Sequence, residues 1–312
     1  MMRKLGWCLG FILLLILNQG AVSEEKAESL FEDSRFTQGF LLQYTEVAQG
    51  HAVEQVLDWG NEDRRPVWRL CQWGSRFSLA GTEPQAGDDG WTWYANEGKQ
   101  VGKGSGVAGD LILGVSAIAE YDGRARQAGE AWPHFLVEQD AVKTLPLDQV
   151  ESIRLRGEFR LTHFQDGMGA SADPGLHAAQ FQLFFIVKNI ESASADQGDF
   201  LWFGVPFFDN RHAVPLPYQA LDAGKSDATG KFIHTIDGRD VNSKPMIEGG
   251  WIVVDHELLP SIRESVTAAV AKGYLRDGDL SHYAVVNMNM GWEVPGQYDV
   301  CMQVRGFAVM SR

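Results

Sequence analysis

Five segments of this chain alternate apolar side chains with polar ones. Their polar positions hold mainly arginine, glutamine, asparagine and glutamate, and the segments are residues 134–138, 154–162, 179–183, 286–293 and 300–305. Successive side chains of a β-strand point to opposite faces, so a period of two places these polar groups on one side of a sheet. The pattern predicts strands with one face that is rich in amides and guanidinium groups.

That polar face is the candidate ligand-binding surface. Planar amides and guanidinium groups hold donors and acceptors in fixed geometry, which suits a ligand rich in hydroxyl or carboxylate groups. We expect the arginine, glutamine and asparagine positions, with Glu158 among them, to share one concave sheet face. The expected substrate-binding residues are Arg160, Gln180, Gln182, Asn287, Asn289, Trp292 and Glu293, and the expected catalytic residues are His134, Glu138, Arg156 and Glu158.

Strand-like segments recur between turn clusters along most of the chain. They are residues 39–45, 67–79, 110–118, 132–139, 153–164, 178–189, 200–209, 231–236, 251–255, 283–294 and 298–310. One helix is predicted over residues 258–274, where apolar residues recur at helical spacing, Pro260 lies in the first turn and Gly273 lies near the end. These elements predict an all-β fold, a two-sheet antiparallel jelly-roll sandwich with one long helix near the C-terminal third.

The N-terminus has the pattern of an export signal. Arg3 and Lys4 precede an apolar run at residues 11–17, and residues 21–23 form a small-x-small cleavage site. The apolar run is too short to span a bilayer comfortably and no second run follows, so a membrane-spanning protein is not expected. The predicted organisation is a signal peptide at 1–23, a flexible lead-in at 24–38 and a single β-sandwich domain at 39–312, in a periplasmic or secreted protein.

The chain is acidic, with a formal net charge of −14 that removal of Arg3 and Lys4 makes two units more negative. This charge argues against nucleic acid as a partner, although a local basic cleft can coexist with an acidic exterior. The sequence contains no Gly-x-Ser-x-Gly motif, phosphate-binding loop or dinucleotide fingerprint. Serine hydrolases, kinases and dehydrogenases are therefore disfavoured.

No cofactor is expected, because no pair of cysteines or histidines has zinc-ligand spacing. Asp88 and Asp89 could hold a structural calcium ion, but no twelve-residue loop pattern surrounds them. After the signal, only Cys71 and Cys301 remain, and they either form one disulfide or stay as buried thiols.

Several side chains have a chemical and a structural interpretation. His134 and Glu138 fall on one strand face, where they could act as base and acid, or His134 could be a half-buried, hydrogen-bonded histidine. Asp209 and Arg211 could line a cleft or form a pair that closes a turn. Among the tryptophans, Trp91, Trp93 and Trp292 are the candidates for stacking on a sugar ring, while most of the others belong to the core.

The segment Arg156-Gly157-Glu158-Phe159-Arg160 resembles the Arg-x-Glu-x-Arg strand of jelly-roll polysaccharide lyases of the alginate-lyase type. Gln180 and Gln182 occupy a plausible second strand, whereas the family's Gln-x-His pattern and its C-terminal lysine-and-tyrosine strand are not found. The alternating strands and the turn at residues 292–296 are similar to those of concanavalin A-like lectin and glucanase jelly rolls. Both resemblances imply an exported protein that binds a polysaccharide or oligosaccharide.

Three functional classes follow from these observations. A lyase would use the arginines and amides to offset the carboxylate charge of a uronate while His134 or a tyrosine abstracts a proton, and this class is narrowly preferred. A glycoside hydrolase would pair Glu158 with Glu138 or Glu293 across the scissile bond. A binding protein without catalysis would use the same face together with its tryptophans.

Overall fold

The computed structural model describes residues 27–60, 65–87, 90–104, 110–223 and 228–312. The predicted signal peptide and the Asp88–Asp89 pair lie outside these residues. The strands of the described part, in chain order, are β1 (Glu28–Ser29), β2 (Phe40–Gln43), β3 (Val53–Leu57), β4 (Trp68–Cys71), β5 (Gln85–Ala86), β6 (Trp91–Ala95), β7 (Lys99–Gly104), β8 (Leu111–Ser116), β9 (His134–Asp140), β10 (Ile153–Asp166), β11 (Gln180–Asn189), β12 (Phe200–Asp209), β13 (Tyr218–Leu221), β14 (Phe232–Thr235), β15 (Trp251–Glu257), β16 (Tyr283–Glu293) and β17 (Tyr298–Ser311). The α-helices are α1 (Ala117–Glu120), α2 (Gly238–Val241) and α3 (Leu259–Ala271).

The strands form two sheets. Sheet A has the order β15-β10-β17-β8-β7-β6-β5, with β1 also paired to β17. Sheet B has the order β13-β14-β12-β11-β16-β9-β4-β2-β3. Neighbouring strands are antiparallel except for β12 beside β14 and β2 beside β4. The predicted all-β sandwich of two mainly antiparallel sheets is confirmed.

The hydrophobic core lies between the two sheets. In β10 the apolar positions, such as Leu155, Phe159 and Leu161, are buried, while the intervening arginines and Glu158 are at least partly exposed. Phe159 of sheet A stacks on Phe207 of sheet B with ring centroids 3.9 Å apart. Period-two alternation therefore gives each sheet one face toward the core and one face toward solvent.

The segment before residue 39 is not a flexible lead-in from residue 27 onward. Phe31 and Phe36 are buried in the core, and β1 pairs with β17 at the C-terminus. Trp68 Nε1 donates a hydrogen bond of 2.9 Å to the carbonyl of Asp33. The segment is polar overall, but the two buried rings of Phe31 and Phe36 hold it against the sandwich.

Helix α3 confirms the predicted helix but has thirteen residues and ends before Lys272. Pro260 lies in its first turn, and Gly273 follows with a φ of +77° that permits the chain to turn away. Leu259, Ile262 and Val266 face the core beside β12. Within the described ranges, none of the helices is both long and apolar enough to span a membrane.

The two cysteines of the described chain are unpaired and buried. Cys71 lies on β4 in sheet B and Cys301 lies on β17 in sheet A, so the disulfide alternative is wrong. Burial raises the pKa of the Cys71 thiol well above its usual value. Among the residues that the structure describes, no group of three or more histidine, cysteine, aspartate or glutamate side chains is arranged to hold a metal ion.

Candidate functional site

A cleft of about 860 Å³ lies across the outward face of sheet B. Its floor is formed by β12, β11, β16 and β9, and the edge strand β13 contributes to one wall. Aromatic side chains line it together with amides and ionisable groups, among them Trp73, Trp132, Trp202, Phe184, Gln182 and Asn289. Apolar surface combined with a few convergent polar groups is typical of a small-molecule or glycan site.

Strand register places the polar side chains of the cleft in rows that run across sheet B. One row reads Asp209, Gln180, Glu293 and His134 on β12, β11, β16 and β9. Directly paired residues of antiparallel strands point to the same face, so all four side chains face the cleft. A second row reads Phe184, Asn289, Glu138 and Arg69 on β11, β16, β9 and β4.

Between these two rows, β16 carries a glycine that approaches β9 closely. Gly291 pairs with Gln182 on one side and Leu136 on the other. A Cβ atom at Gly291 would lie 2.2 Å from the carbonyl oxygen of Phe135, and its φ of +155° also disfavours other residues. Glycine is therefore required at this position for β16 and β9 to pair beside Glu293.

Glu293 lies in a cage of donors and aromatic rings. Trp132 Nε1 donates a 3.2 Å hydrogen bond to its Oε2, and Gln182 Nε2 lies 3.5 Å from its Oε1. The guanidinium of Arg126 stands 4.7 Å from the centre of the Trp132 ring, and the His134 ring stacks on the same indole at 5.6 Å. These contacts orient the Glu293 carboxyl group toward the cleft.

His134 and Glu293 lie side by side at the edge of the cleft. His134 Nδ1 lies 2.9 Å from the carbonyl oxygen of Trp132, which can only accept, so Nδ1 carries a hydrogen. The other ring nitrogen, Nε2, lies 3.5 Å from Glu293 Oε2. The pair therefore places an imidazole and a carboxyl group, two side-chain types that act as general acids and bases, beside a ligand in the cleft.

Asp209, at the other end of the same row, is held by Arg211 and Gln180. Arg211 binds it in bidentate fashion through Nε at 2.9 Å and a terminal nitrogen at 2.6 Å. Gln180 Nε2 donates a third side-chain hydrogen bond of 3.0 Å to its Oδ2. The hydrogen bonds to Asp209 raise the pKa of Arg211. The structure therefore contains both arrangements that the sequence suggests, since the two residues form a pair and also line the cleft.

Glu138 belongs to a separate ion-pair network. Arg69 Nε lies 2.8 Å from Glu138 Oε1, and the other end of that guanidinium holds Asp140 at 2.8 Å. The hydrogen bond from Arg69 lowers the pKa of Asp140, and Asn287 Nδ2 adds a 2.9 Å bond to it. Glu138 is almost fully buried and saturated by these partners, so it fixes β9 against β4 and β16.

Comparison with protein-family models and with curated proteins finds no match for this sequence. Comparison of structures finds the endoglucanase Cel12A from Rhodothermus marinus, with a TM-score of 0.37 and 10% identity over 79% of this chain and 99% of that one. It also finds a family 12 xyloglucanase from Bacillus licheniformis, with a TM-score of 0.40 and 11% identity over 74% and 97%. The xyloglucanase domain of NopAA from Sinorhizobium fredii gives 0.38 and 11% over 76% and 100%.

Likenesses at this level do not establish a family or an activity for this chain, and they give no support to the resemblance to alginate-lyase-type enzymes. The function of the cleft has to be inferred from its own residues.

The expectation that Arg156, Glu158 and Arg160 share a face with the glutamines and asparagines is wrong. These three residues lie on β10 in sheet A, whose outward face points away from the cleft. Arg156 pairs with Asp255, and Glu158 accepts a 2.6 Å hydrogen bond from Arg305. Alternation along a strand identifies an outward face but not the sheet that carries it. The arginine-rich lyase site that was based on this strand therefore has no structural basis.

The interpretation of Trp292 as a stacking residue is also wrong. Trp292 is fully buried, and its Nε1 donates a 2.8 Å hydrogen bond to the carbonyl of Leu113 in the opposite sheet. It precedes Glu293 by one residue on β16, so the two side chains must point to opposite faces. Of the other expected residues, the cleft collects His134, Glu138, Gln180, Gln182, Asn287, Asn289 and Glu293.

Sequence reasoning missed the aromatic and basic residues that complete the cleft. Trp73, Trp132 and Arg126 come from loops, and Trp202 comes from an apolar strand that was interpreted as core. Only Trp202 could have been found from the sequence. It alternates with Gly204 and Pro206 along β12, and a period of two on a strand places such residues on one face. The loop residues are brought to the cleft by tertiary packing, which no local pattern encodes.

Proposed function

We propose that the cleft of sheet B binds a segment of a polysaccharide and hydrolyses one of its glycosidic bonds. The observation that carries this proposal is the row Asp209, Gln180, Glu293 and His134, in which two carboxyl groups, one beside an imidazole and one beside a guanidinium group, face the same cleft. Hydrolysis of a glycosidic bond needs two such carboxyl groups, one to protonate the leaving oxygen and one to act on the opposite side.

The separation of the two groups favours inversion of the anomeric carbon. Asp209 and Glu293 both pair with Gln180, so their strands are two spacings apart, or about 9.6 Å. A strand separation of this order is closer to the roughly 6.5–9.5 Å between carboxyl groups that leaves room for a water molecule in inverting enzymes. Retaining enzymes need about 5–5.5 Å between the two groups.

The alternative pairing of Glu293 with Glu138 fits neither geometry. Glu138 is opposite Asn289, four residues from Glu293 along β16, which corresponds to about 14 Å along the strand. Glu138 is also occupied by Arg69. Glu158 is excluded from either role because it lies on the other sheet.

In the proposed reaction, Glu293 acts as the general acid and donates a proton to the glycosidic oxygen. Asp209 acts as the general base and removes a proton from the attacking water. Gln182 and Asn289 supply hydrogen bonds to sugar hydroxyl groups, and the partly exposed ring of Trp202 offers an apolar face to a sugar ring.

Three carboxylate-to-amide variants test the proposal with a reducing-end assay on a panel of neutral polysaccharides. Glu293→Gln and Asp209→Asn each remove a reacting group but keep its size, so cleavage should fall by at least about a hundredfold while binding persists. Glu158→Gln is the matched control, because it makes the same change on the outward face of sheet A and should keep wild-type activity. Equal release of reducing ends by all three variants would contradict the proposal.

Binding without catalysis is the second candidate function. It is favoured by the saturation of the cleft carboxylates, since Asp209 accepts three side-chain hydrogen bonds and one from the backbone of Arg211, and Glu138 is held by Arg69. A binding protein would retain a polysaccharide through Trp202 and would release no reducing ends. The absence of cleavage across the panel, together with loss of binding in Trp202→Ala, would decide for this function.

We also propose that the protein is exported, on the basis of the charged, apolar and small-residue segments at positions 1–23. The mature protein would then begin at Glu24. Mass spectrometry of the protein recovered from the periplasm or medium of an expressing cell tests this, and an intact Met1 in that fraction would contradict it.

A further inference from the structure

The outward face of sheet A carries a row of side chains that the cleft does not use. Strand register aligns Trp93, Gly102, Ile112, Gln303, Arg160 and Trp251 on β6, β7, β8, β17, β10 and β15. Cross-strand partners share a face, so these residues form one line across six strands. The distance between its ends is five strand spacings, or about 24 Å.

At one end of the row, two indole rings lie flat on the sheet. A Cβ atom at Gly102 would be 2.4 Å from a ring carbon of Trp93, and one at Gly104 would be 3.3 Å from ring carbons of Trp91. The two indoles are stacked, with centroids 5.3 Å apart and planes 29° from parallel. Both tryptophans remain partly exposed. An indole laid over glycine is held against the sheet, and the part of the Trp93 ring that remains exposed suits the C–H surface of a sugar ring.

At the other end, Trp251 organises two guanidinium groups. Those of Arg305 and Arg160 stand 4.1 and 4.8 Å from the centre of its ring. Arg160 also donates to Gln303 Oε1, and Gln303 Nε2 donates to Asp110 at 2.7 Å. Cation–π contacts and hydrogen bonds thus fix the donors of this end at the sheet surface.

The charges of this face indicate a neutral ligand. Arg305 is paired with Glu158, and both Arg154 and Arg156 are paired with Asp255. An anionic polysaccharide requires unbalanced cations, whereas here Arg154, Arg156, Arg160 and Arg305 lie among four carboxylates, those of Asp255, Glu257, Glu158 and Asp110. A neutral polysaccharide needs only aromatic faces and fixed hydrogen-bond donors, which this face provides.

We propose that the outward face of sheet A is a second binding surface for a neutral polysaccharide, anchored by Trp93 and extending along the row toward Trp251. Such a surface would hold the protein on a polymer while the cleft, on the opposite face, acts on a chain segment. The proposal is independent of catalysis, because it predicts binding whether or not the cleft cleaves.

Affinity gel electrophoresis of the full chain tests this surface, with soluble neutral xyloglucan or hydroxyethyl cellulose in the gel and polygalacturonate as the anionic probe. Each variant is compared in the Glu293→Gln background, which prevents cleavage of the probe. Trp93→Ala should weaken retention by the neutral polymers about fivefold or more, as for loss of an aromatic anchor at an interface. Trp93→Phe, which keeps a smaller aromatic face and guards against a folding defect, should restore most of the retention.

Trp202→Ala separates the two surfaces, because Trp202 lines the cleft and lies on the other sheet. The loss of Trp202 should weaken the binding of a short oligosaccharide in the cleft, whereas Trp93→Ala should leave that binding unchanged. Unaltered retention of Trp93→Ala and Trp93→Phe by every neutral polymer would overturn the proposal. Retention by polygalacturonate that depends on Trp93 would overturn the assignment of a neutral ligand.

Discussion

Arg69 shows how one residue determines what a charged neighbour can do. Its guanidinium is mostly buried and binds the nearly fully buried Glu138 and the exposed Asp140 together. Although burial alone would lower the pKa of Arg69, the hydrogen bonds and charges of these carboxylates raise it. Glu138 lies in the cleft and is one of the expected catalytic residues. Its ion pair with Arg69 instead gives it a role in stabilising sheet B.

Removal of Arg69 should therefore destabilise the fold. Arg69→Met leaves the Glu138 carboxylate buried without its cation, and breaking a buried pair in this way costs about 3 kcal/mol or more. The free energy of unfolding from urea titration measures this loss. The double variant Arg69→Met with Glu138→Leu removes both charges and should recover most of the stability. A single variant as stable as the wild type would show that the pair contributes nothing.

Lys99 is a buried amine in the core side of sheet A. Its Nζ donates to Ser75 Oγ and to the carbonyl of Phe77, and Glu120 lies 3.9 Å away. Burial lowers the pKa of Lys99 to about 7, although Glu120 opposes this effect. At neutral pH the amine is thus close to losing its charge.

This lowered pKa predicts a stability that increases with pH. Because the folded pKa is below the unfolded one, the unfolded chain binds more protons between about pH 7 and 10.5, and folding becomes more favourable across that window. The difference in Tm between the wild type and Lys99→Met should accordingly move in favour of the wild type from about pH 6 to 9. A constant difference over that range would contradict a titrating Lys99.

At the scale of elements, the sequence predicted strands well where alternation was strong and failed where glycine replaced it. Strands β11 and β16 lie inside the predicted segments, and β9, β10 and β17 extend past theirs by one or two residues. Strand β7 was missed, because it reads Lys-Gln-Val-Gly-Lys-Gly and has few of the branched and aromatic residues typical of strands. Its glycines are required because the indoles of Trp93 and Trp91 lie on them, which is a contact between strands that a local pattern does not show.

The sequence also did not show which of the two sheets each strand belongs to. The alternation of β10 and that of β16 are equally strong, yet β10 pairs with β15 and β17 whereas β16 pairs with β9 and β11. Pairing over more than a hundred residues decides which polar face becomes the cleft. The residues of the cleft were thus predicted in part, and the Arg156, Glu158 and Arg160 set was placed on the wrong surface.

Two loops at the far end of sheet B are joined by a polar cluster around Asp277. Ser194, Asn189 and His282 all donate to its Oδ2, with His282 Nδ1 at 2.7 Å. These hydrogen bonds lower the pKa of Asp277, and the bond to Asp277 raises the pKa of His282. The cluster connects the β11–β12 loop to the segment that leads into β16.

The raised pKa of His282 predicts that this connection weakens with increasing pH. Its contribution is fully present below the unfolded pKa of about 6.5 and is lost as the pH rises through the higher folded value. His282→Gln keeps a donor but not the charge, so its Tm deficit should be largest near pH 5.5 and should shrink by pH 8. Hydrogen exchange of residues 190–199 should increase in parallel, and a deficit that does not change with pH would argue against a role for the charge.

At the scale of the whole molecule, one core separates two outward faces with different chemistry. The cleft of sheet B combines aromatic walls with the row Asp209, Gln180, Glu293 and His134, while sheet A presents indoles on glycine and balanced ion pairs. The acidic exterior of the chain and the opposite orientation of the two faces are consistent with a protein that holds a neutral polymer on one side and acts on a chain segment on the other.

The stereochemistry of the first product tests the central claim most directly. Wild-type protein is incubated with a β-linked neutral polysaccharide that it cleaves, and the anomeric protons of the new reducing ends are followed by ¹H NMR before mutarotation. Because the strands of Asp209 and Glu293 are two spacings apart, we expect an inverting reaction with a water molecule between the two groups, in which the α-anomer appears first. Initial formation of the β-anomer would show retention, and it would contradict the assignment of these two residues as the reacting pair.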